Sequence, residues 1–255
     1  MTIYTMTKFK LKKYIQHAGI FWLTIATMSI VIPAILFFCA GTSGTSSFSF
    51  ENIEILLFFF IAMVSSSLSI QYLPLFFQYN LSRKSQFISS VLSALLGSTL
   101  FCIAYFITIN LTPLLSNVSI KSDLINFYSH YFSNHLANQV LVFLLFLSIS
   151  YTLSIFIIVF RTTLLLLSKL QKIICIVIII VISQLVSLTS TDSPATFSLT
   201  LVEVLKHLIG YTQNGQEVSL NPLNPVVYLS IFTLILIGCY YFLMNKIEMR
   251  HLIKN

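Results

Sequence analysis

The fold is decided by ANQVLVFLLFLSISYTLSIFIIVF, residues 137–160, a stretch without a charged residue that ends directly before Arg161. As an α-helix these residues extend about 36 Å at 1.5 Å per residue, enough to cross the roughly 30 Å hydrocarbon core of a membrane. The stretch therefore predicts a transmembrane helix with a cation at one end.

Five more apolar stretches occur along the chain, at residues 18–40, 53–77, 88–109, 173–189 and 226–245. Only 8% of all residues are charged, whereas about a quarter of the residues of a soluble domain are charged. We therefore predict an all-α integral membrane protein with six transmembrane helices in a cell membrane. The abundance of Ile, Phe, Asn, Lys and Ser is typical of AT-rich bacterial coding.

Basic residues are sorted between the two sides of these six helices. If the amino terminus is inside, the cytoplasmic segments hold twelve basic residues and the outer segments only Lys121 and Lys206. Cytoplasmic connections of membrane proteins carry an excess of Lys and Arg, so both termini are predicted to be cytoplasmic. The twelve are Lys8, Lys10, Lys12, Lys13, Arg83, Lys84, Arg161, Lys169, Lys172, Lys246, Arg250 and Lys254. They form no single basic patch, and we predict no nucleic-acid partner.

The chain 1–255 is predicted to be one transmembrane domain, with a cytoplasmic interfacial segment (1–17), a six-helix bundle (18–245) and a cytoplasmic tail (246–255). In the first segment, four lysines oppose an apolar side made of Ile3, Tyr4, Leu11, Tyr14 and Ile15. This pattern favours a helix lying on the membrane, and a basic tail that only sets the topology is the alternative.

An amphipathic outer helix is predicted before the sixth transmembrane helix, at residues 194–209. Ser193 can cap its start, Pro194 suits its first turn, and Gly210 can end it.

The sequence offers no catalytic, metal or directly bound cofactor site. The predicted transmembrane helices have no charged residue near their middle, which disfavours a proton-coupled carrier. No G-x-x-x-x-G-K-[ST] run is present, so the chain is not expected to hydrolyse ATP.

The polar residues within the transmembrane helices are mainly hydroxyls and amides. Such groups usually bond within their own helix or hold helices together. The functional alternative is a weakly polar translocation surface on the second and fifth helices, made of Ser65, Ser66, Ser69, Gln71, Ser183 and Gln184.

The number of helices, the interfacial amino-terminal segment, the short basic connection after the second helix and the outer helix before the sixth resemble the ABC-2 type permease family. The sharpest local element is Asn80-Leu81-Ser82-Arg83-Lys84-Ser85-Gln86-Phe87, which is similar to the S-R-K-x-x-F run of small members from Gram-positive bacteria. The resemblance implies that Asn80, Ser82, Arg83, Lys84 and Phe87 couple the chain to a cytoplasmic ABC ATPase.

The same resemblance implies an exporter of hydrophobic or amphipathic peptides. In length and loop pattern the chain is similar to a membrane subunit of phenol-soluble modulin exporters. A second permease copy, forming a homodimer, or a paralogue would complete the complex, and ATP-Mg would bind to the ATPase partner. Two alternatives stay open: a peptide-binding immunity or sensor protein of the membrane, and the substrate-capturing subunit of a vitamin importer.

Overall fold

The computed structural model is predominantly α-helical. It describes residues 3–40, 48–51, 53–111, 118–121, 123–128, 131–132, 134–168, 170–171, 173–174, 206, 208–214 and 217–247. The helices of this part are α1 (Ile3–Ala40), α2 (Ile53–Gln71), α3 (Leu73–Gln78), α4 (Arg83–Leu111), α5 (Asp123–Tyr128), α6 (His135–Leu166) and α7 (Leu223–Lys246). The strands are β1 (Phe48–Glu51), β2 (Val118–Lys121), β3 (Tyr211–Asn214) and β4 (Glu217–Leu220).

Within the described residues, four segments are long and apolar enough to cross a membrane: Glu54–Gln78, Arg83–Asn110, Leu136–Leu166 and Leu223–Lys246. They correspond to the second, third, fourth and sixth predicted transmembrane helices. The first predicted one, 18–40, lies within the continuous helix α1. The fifth, 173–189, lies outside the described residues except for its first two positions. A total of six, with both termini cytoplasmic, therefore stays a prediction.

Tyr72 separates α2 from α3 because Pro74 follows two residues later. Proline has no backbone N–H to bond the carbonyl four residues earlier, and its ring clashes with that carbonyl, so the helix cannot continue unbroken through this point. Accordingly Pro74 lies in the first turn of α3, where a missing N–H costs nothing.

The amino-terminal part of α1 packs into the bundle along Met6, Lys10, Tyr14 and Phe21, all buried. The buried side differs from the apolar side predicted from the sequence, since Tyr4 and Ile15 are 71% and 56% exposed. Tyr14 belongs to both sides, but Lys10 is buried although the prediction placed all four lysines on the side of the helix opposite the apolar one. Whether the segment also rests on a membrane surface stays a prediction.

Aromatic side chains fill the interior where α1, α2, α4 and α6 meet. The rings of Phe21 and Phe60 stack with centroids 4.3 Å apart, and those of Tyr105 and Phe146 stack at 5.2 Å. A second apolar cluster joins α3, α4, α6 and α7 around Leu73, Ile155 and Tyr240. Burial of large rings at these crossings supplies much of the packing that holds the helices together.

Two small sheets lie in the connections between helices and were not part of the sequence prediction. β1 pairs with β2 in parallel, with Phe48 opposite Val118, and β3 pairs with β4 as an antiparallel hairpin. Gly210 precedes the hairpin with φ +81°, the left-handed conformation suited to the end of a helix. The predicted outer helix 194–209 lies largely outside the described residues, but residues 206, 208 and 209 are helical.

The bundle has a basic end, which contains Lys10 and Arg83, and an opposite end. At the basic end, Lys10 near the start of α1 bonds to Ser90 near the start of α4. Arg83, also at the start of α4, bonds to the end of α7. Glu54, at the start of α2, instead meets Tyr105 near the end of α4. By the charge-sorting argument, the basic end is the one predicted to be cytoplasmic.

Candidate functional site

The basic end carries the predicted coupling residues on a short, well-defined turn. Asn80 has φ +52°, a left-handed conformation that asparagine tolerates better than most residues. The Ser82 hydroxyl accepts a hydrogen bond from the Ser85 backbone N–H at 3.1 Å and so caps α4. Both side chains are exposed. The turn between α3 and α4 is thus fixed by its own backbone and cap.

Arg83 and Phe87 join this turn to the end of α7. The Arg83 guanidinium donates a hydrogen bond to the backbone carbonyl of Asn245, in the last turn of α7. A cation at that position also compensates the partial negative charge of a helix carboxyl end. The Phe87 ring lies 5.4 Å from that of Tyr240 and 5.3 Å from that of Tyr241. A displacement of the turn would therefore reach α7 directly.

Lys84 differs from its neighbour because it is exposed. Of the two adjacent cations, Arg83 is engaged within the chain and Lys84 faces outward. The sequence alone could not separate them, because the partner of Arg83 is a backbone carbonyl more than 150 positions away.

Lys10, which the sequence analysis did not include among the candidate site residues, lies close to the helices that flank this turn. Lys10 is only 1% exposed, and its amine donates a hydrogen bond of 2.7 Å to the Ser90 hydroxyl of α4. The Phe76 ring of α3 lies 5.5 Å from the same amine. Tyr240 of α7 also lies close to Ser90. Burial lowers the pKa of Lys10 from its ordinary 10.5 to about 7.

The residues of the predicted translocation surface lie in different surroundings. Ser65, Ser66 and Ser69 are buried between helices, and Gln71 is exposed. Ser65 donates to the Ile61 carbonyl of its own helix at 2.7 Å, and Ser66 accepts from the Arg161 guanidinium at 3.1 Å. Such bonds are typical of polar groups that hold helices together. Ser183 and Gln184 lie outside the described residues, and the translocation surface stays a prediction.

The opposite end of the bundle contains an apolar pocket of about 480 Å³. It is lined by Leu208, Ile209, Pro225, Tyr228, Leu229, Ile231, Phe232 and Ile235. The Tyr128 hydroxyl of α5 donates to the Ile209 carbonyl at 2.9 Å and so fixes one wall. A pocket with this lining suits aliphatic or aromatic groups.

Comparisons of the chain with protein-family models, with curated proteins and with solved structures found no match.

The described residues offer two candidate surfaces at opposite ends: an exposed turn that joins the start of α4 to the end of α7, and an apolar pocket along α7. In this part of the chain, no three side chains of His, Cys, Asp or Glu are grouped so that they could hold a metal ion. The arrangement suits docking at one end and apolar binding at the other.

Proposed function

We propose that this chain is the permease subunit of an ATP-driven exporter of the ABC-2 type, which carries hydrophobic or amphipathic peptides. Two permease chains, identical or paralogous, work with two separate ATPase subunits that dock at the basic end. The permease supplies the path, and the ATPases hydrolyse ATP.

The turn between α3 and α4 is the observation that carries the proposal. Its side chains Asn80, Ser82 and Lys84 are exposed, while Arg83 and Phe87 hold it to α7. A partner that pushes on the turn would consequently move α7 relative to α4. This is what a subunit without its own ATPase needs in order to respond to ATP binding elsewhere.

The exposure of α7 supports a pair of permease chains. Within its most apolar window only 17% of residues are buried, compared with 50% for Glu54–Gln78. Its apolar side chains Val227 and Leu234, which do not line the pocket, are each more than half exposed. Such a face lies against lipid or against a second permease, and no charged residue interrupts α7 before Lys246.

The apolar pocket supports a peptide as the cargo. An amphipathic helix could place its apolar face against Ile231, Phe232 and Ile235 and leave its charges in the aqueous or headgroup region. The pocket also favours a second candidate, a peptide-binding immunity or sensor protein, which would need no ATPase.

Association with an ATPase separates these two functions. In the test, the chain is coexpressed with any ABC ATPase whose gene lies beside its own, and the complex is purified. Because Lys84 is exposed on the docking turn, Lys84→Glu should lower the affinity about tenfold or more through mismatched charge. Lys12→Glu, an exposed charge reversal on α1 at the same end, is the matched control and should retain the complex.

The mass of the purified complex should correspond to two permease chains and two ATPases. If native chain and ATPase do not copurify, or if Lys84→Glu binds as well as the native chain, the coupling role of the turn is wrong. Peptide binding in the absence of any ATPase partner would favour the sensor or immunity function.

A further inference from the structure

The Lys10 amine is buried without a charged partner among the described residues. It is the eighth residue of α1, which begins at Ile3, it precedes the first predicted transmembrane helix, and it is 1% exposed. Its single described hydrogen bond goes to the neutral Ser90 hydroxyl at 2.7 Å, and Phe76 provides a ring at 5.5 Å. An ammonium group needs three acceptors, so this site satisfies a neutral amine far better than a charged one.

The groups that face Lys10 from the neighbouring elements are also uncharged at neutral pH. α3 contributes Phe76, α4 contributes Ser90, and α7 contributes Tyr240, which lies close to Ser90. One turn along α1, Tyr14 is buried, and burial raises the pKa of its phenol. Lys10 is therefore the group in this cluster whose charge can change near neutral pH.

Residues on both sides of Lys10 pack tightly against α4. The Thr7 hydroxyl lies 3.4 Å from that of Ser89, and the Tyr14 ring occupies space left free by Gly97. The amino-terminal part of α1 is thus held to α4 by a short strip of contacts with Lys10 at its centre. A change in the charge of Lys10 therefore affects all of these contacts between α1 and α4.

We propose that Lys10 is a proton-controlled latch: the neutral amine lets the amino-terminal part of α1 pack on α4, and proton uptake releases it. The latch concerns a contact within the chain and is independent of the exporter proposal. Release would expose Ser90 and loosen the link between α4 and Tyr240 of α7 at the basic end.

The direction of the pH effect follows from the two pKa values. The amine has a pKa of about 7 when packed and the ordinary 10.5 when released. Because the released form binds the proton more tightly, the packed form loses stability as the pH falls from about 10.5 to about 7. Below about pH 7 both forms are protonated, and the loss levels off. From about pH 9 to about pH 7 the opening constant should rise about 50-fold.

Hydrogen exchange of the full chain in lipid nanodiscs measures this opening. Exchange rates of α1 amides around residues 5–14, divided by the intrinsic rate at each pH, give the opening constant. The native chain and the control Lys12→Met, which alters an exposed lysine, should show the rise of about 50-fold between about pH 9 and about pH 7. Lys10→Met should show a rise of less than about twofold, because the residue no longer titrates.

Two further measurements separate a loss of packing from a loss of titration. Gly97→Ala should increase opening at both pH values but preserve their ratio, since it displaces Tyr14 without altering the amine. Amides of α6 in the same molecules report whether each variant is folded. A native chain whose α1 opening does not change with pH would overturn the proposal without any variant. A folded Lys10→Met chain that retains the full pH effect would overturn it as well.

Discussion

Gly97 is the residue at which α4 makes room for the Tyr14 ring of α1. A Cβ atom built at Gly97 would lie 2.5 Å from Cε1 and 2.7 Å from Cδ1 of Tyr14. The ring is 1% exposed, so it has little space into which it could move. Alanine at position 97 consequently requires a shift of one helix relative to the other.

Gly97→Ala should therefore destabilise the chain by about 1–3 kcal/mol, the usual cost of overpacking. Gly238→Ala is the matched control because a Cβ there meets nothing within 4 Å. It should be neutral or up to about 1 kcal/mol stabilising, since alanine is the better helix former. Thermal unfolding in detergent measures both, and equal midpoints for the two variants would show that α1 does not pack on α4 at this point.

The sequence predicted a short connection around Arg83 and Lys84, and the structure has a turn between α3 and α4 there; that this turn docks an ATPase stays a prediction. Adjacent cations in a short connection between two apolar stretches were sufficient to single out Arg83 and Lys84. That Arg83 bonds the end of α7 depends on how α4 and α7 cross, which local spacing does not encode. Lys10 was missed for a related reason: a lysine near a membrane is normally exposed, and its burial becomes evident only when α3 and α4 enclose it.

At the scale of elements, α6 and α7 are joined by a hydroxyl pair in their apolar middle. The Oγ1 atoms of Thr152 and Thr233 are 2.6 Å apart, and both residues are 5% exposed. Each hydroxyl also lies within hydrogen-bond distance of a carbonyl of its own helix, Thr152 of Ser148 and Thr233 of Leu229. Because each hydroxyl has a single proton, one of them donates to its own helix and the other donates across the pair. The pair therefore adds one directional bond to an otherwise apolar contact.

Thr233→Val should cost about 0.6 kcal/mol more than Thr162→Val, and at most about 1.7 kcal/mol more, the average and the maximum found for hydrogen bonds between transmembrane helices. Thr162 is the matched control because it is also buried and bonds the Ile158 carbonyl within α6. Both variants remove one buried hydroxyl, and only the first removes the hydrogen bond between helices. Unfolding in detergent distinguishes them, and indistinguishable stabilities would mean that the pair contributes nothing.

The long helices followed from the sequence because an apolar stretch between charges has few other stable structures in a membrane. The four described transmembrane segments confirm this part of the prediction. The strands β1 and β2 did not follow, because each has four residues and its partner is distant in sequence. For β3 and β4 the sequence did contain a hairpin signal. Asn214 is followed by Gly215, and an Asn-Gly pair is typical of the short turns that connect two antiparallel strands.

At the scale of the whole molecule, α7 extends from the apolar pocket to the docking turn. Phe232 lines the pocket, whereas Phe242, near the other end of the same helix, has the Lys246 amine 4.4 Å from its ring. If α7 transmits movement between the two ends, a peptide at the pocket should alter ATP hydrolysis at the basic end. The exporter proposal thus predicts a response over most of the length of one helix.

Phe232→Ala should reduce the stimulation of ATP turnover by amphipathic peptides in the reconstituted complex, about 10-fold or more if the ring is a binding anchor. Phe242→Ala, which removes a similarly exposed ring outside the pocket, should leave the stimulation within about twofold of the native complex. Peptides of differing sequence but similar amphipathicity should act alike. Turnover that ignores such peptides and responds to a small hydrophilic solute would refute the choice of cargo.

The pairing of β1 with β2 also constrains how the chain matures during synthesis. Each residue of β1 is paired with one about 70 positions later, after α2, α3 and α4 have been made. At roughly 5–20 residues per second, the ribosome needs on the order of 4–14 s to reach the second strand. During this interval the first strand lacks its partner in the sheet. The sheet can therefore form only after α2, α3 and α4 have been synthesised, and its two strands then connect the residues before and after these helices.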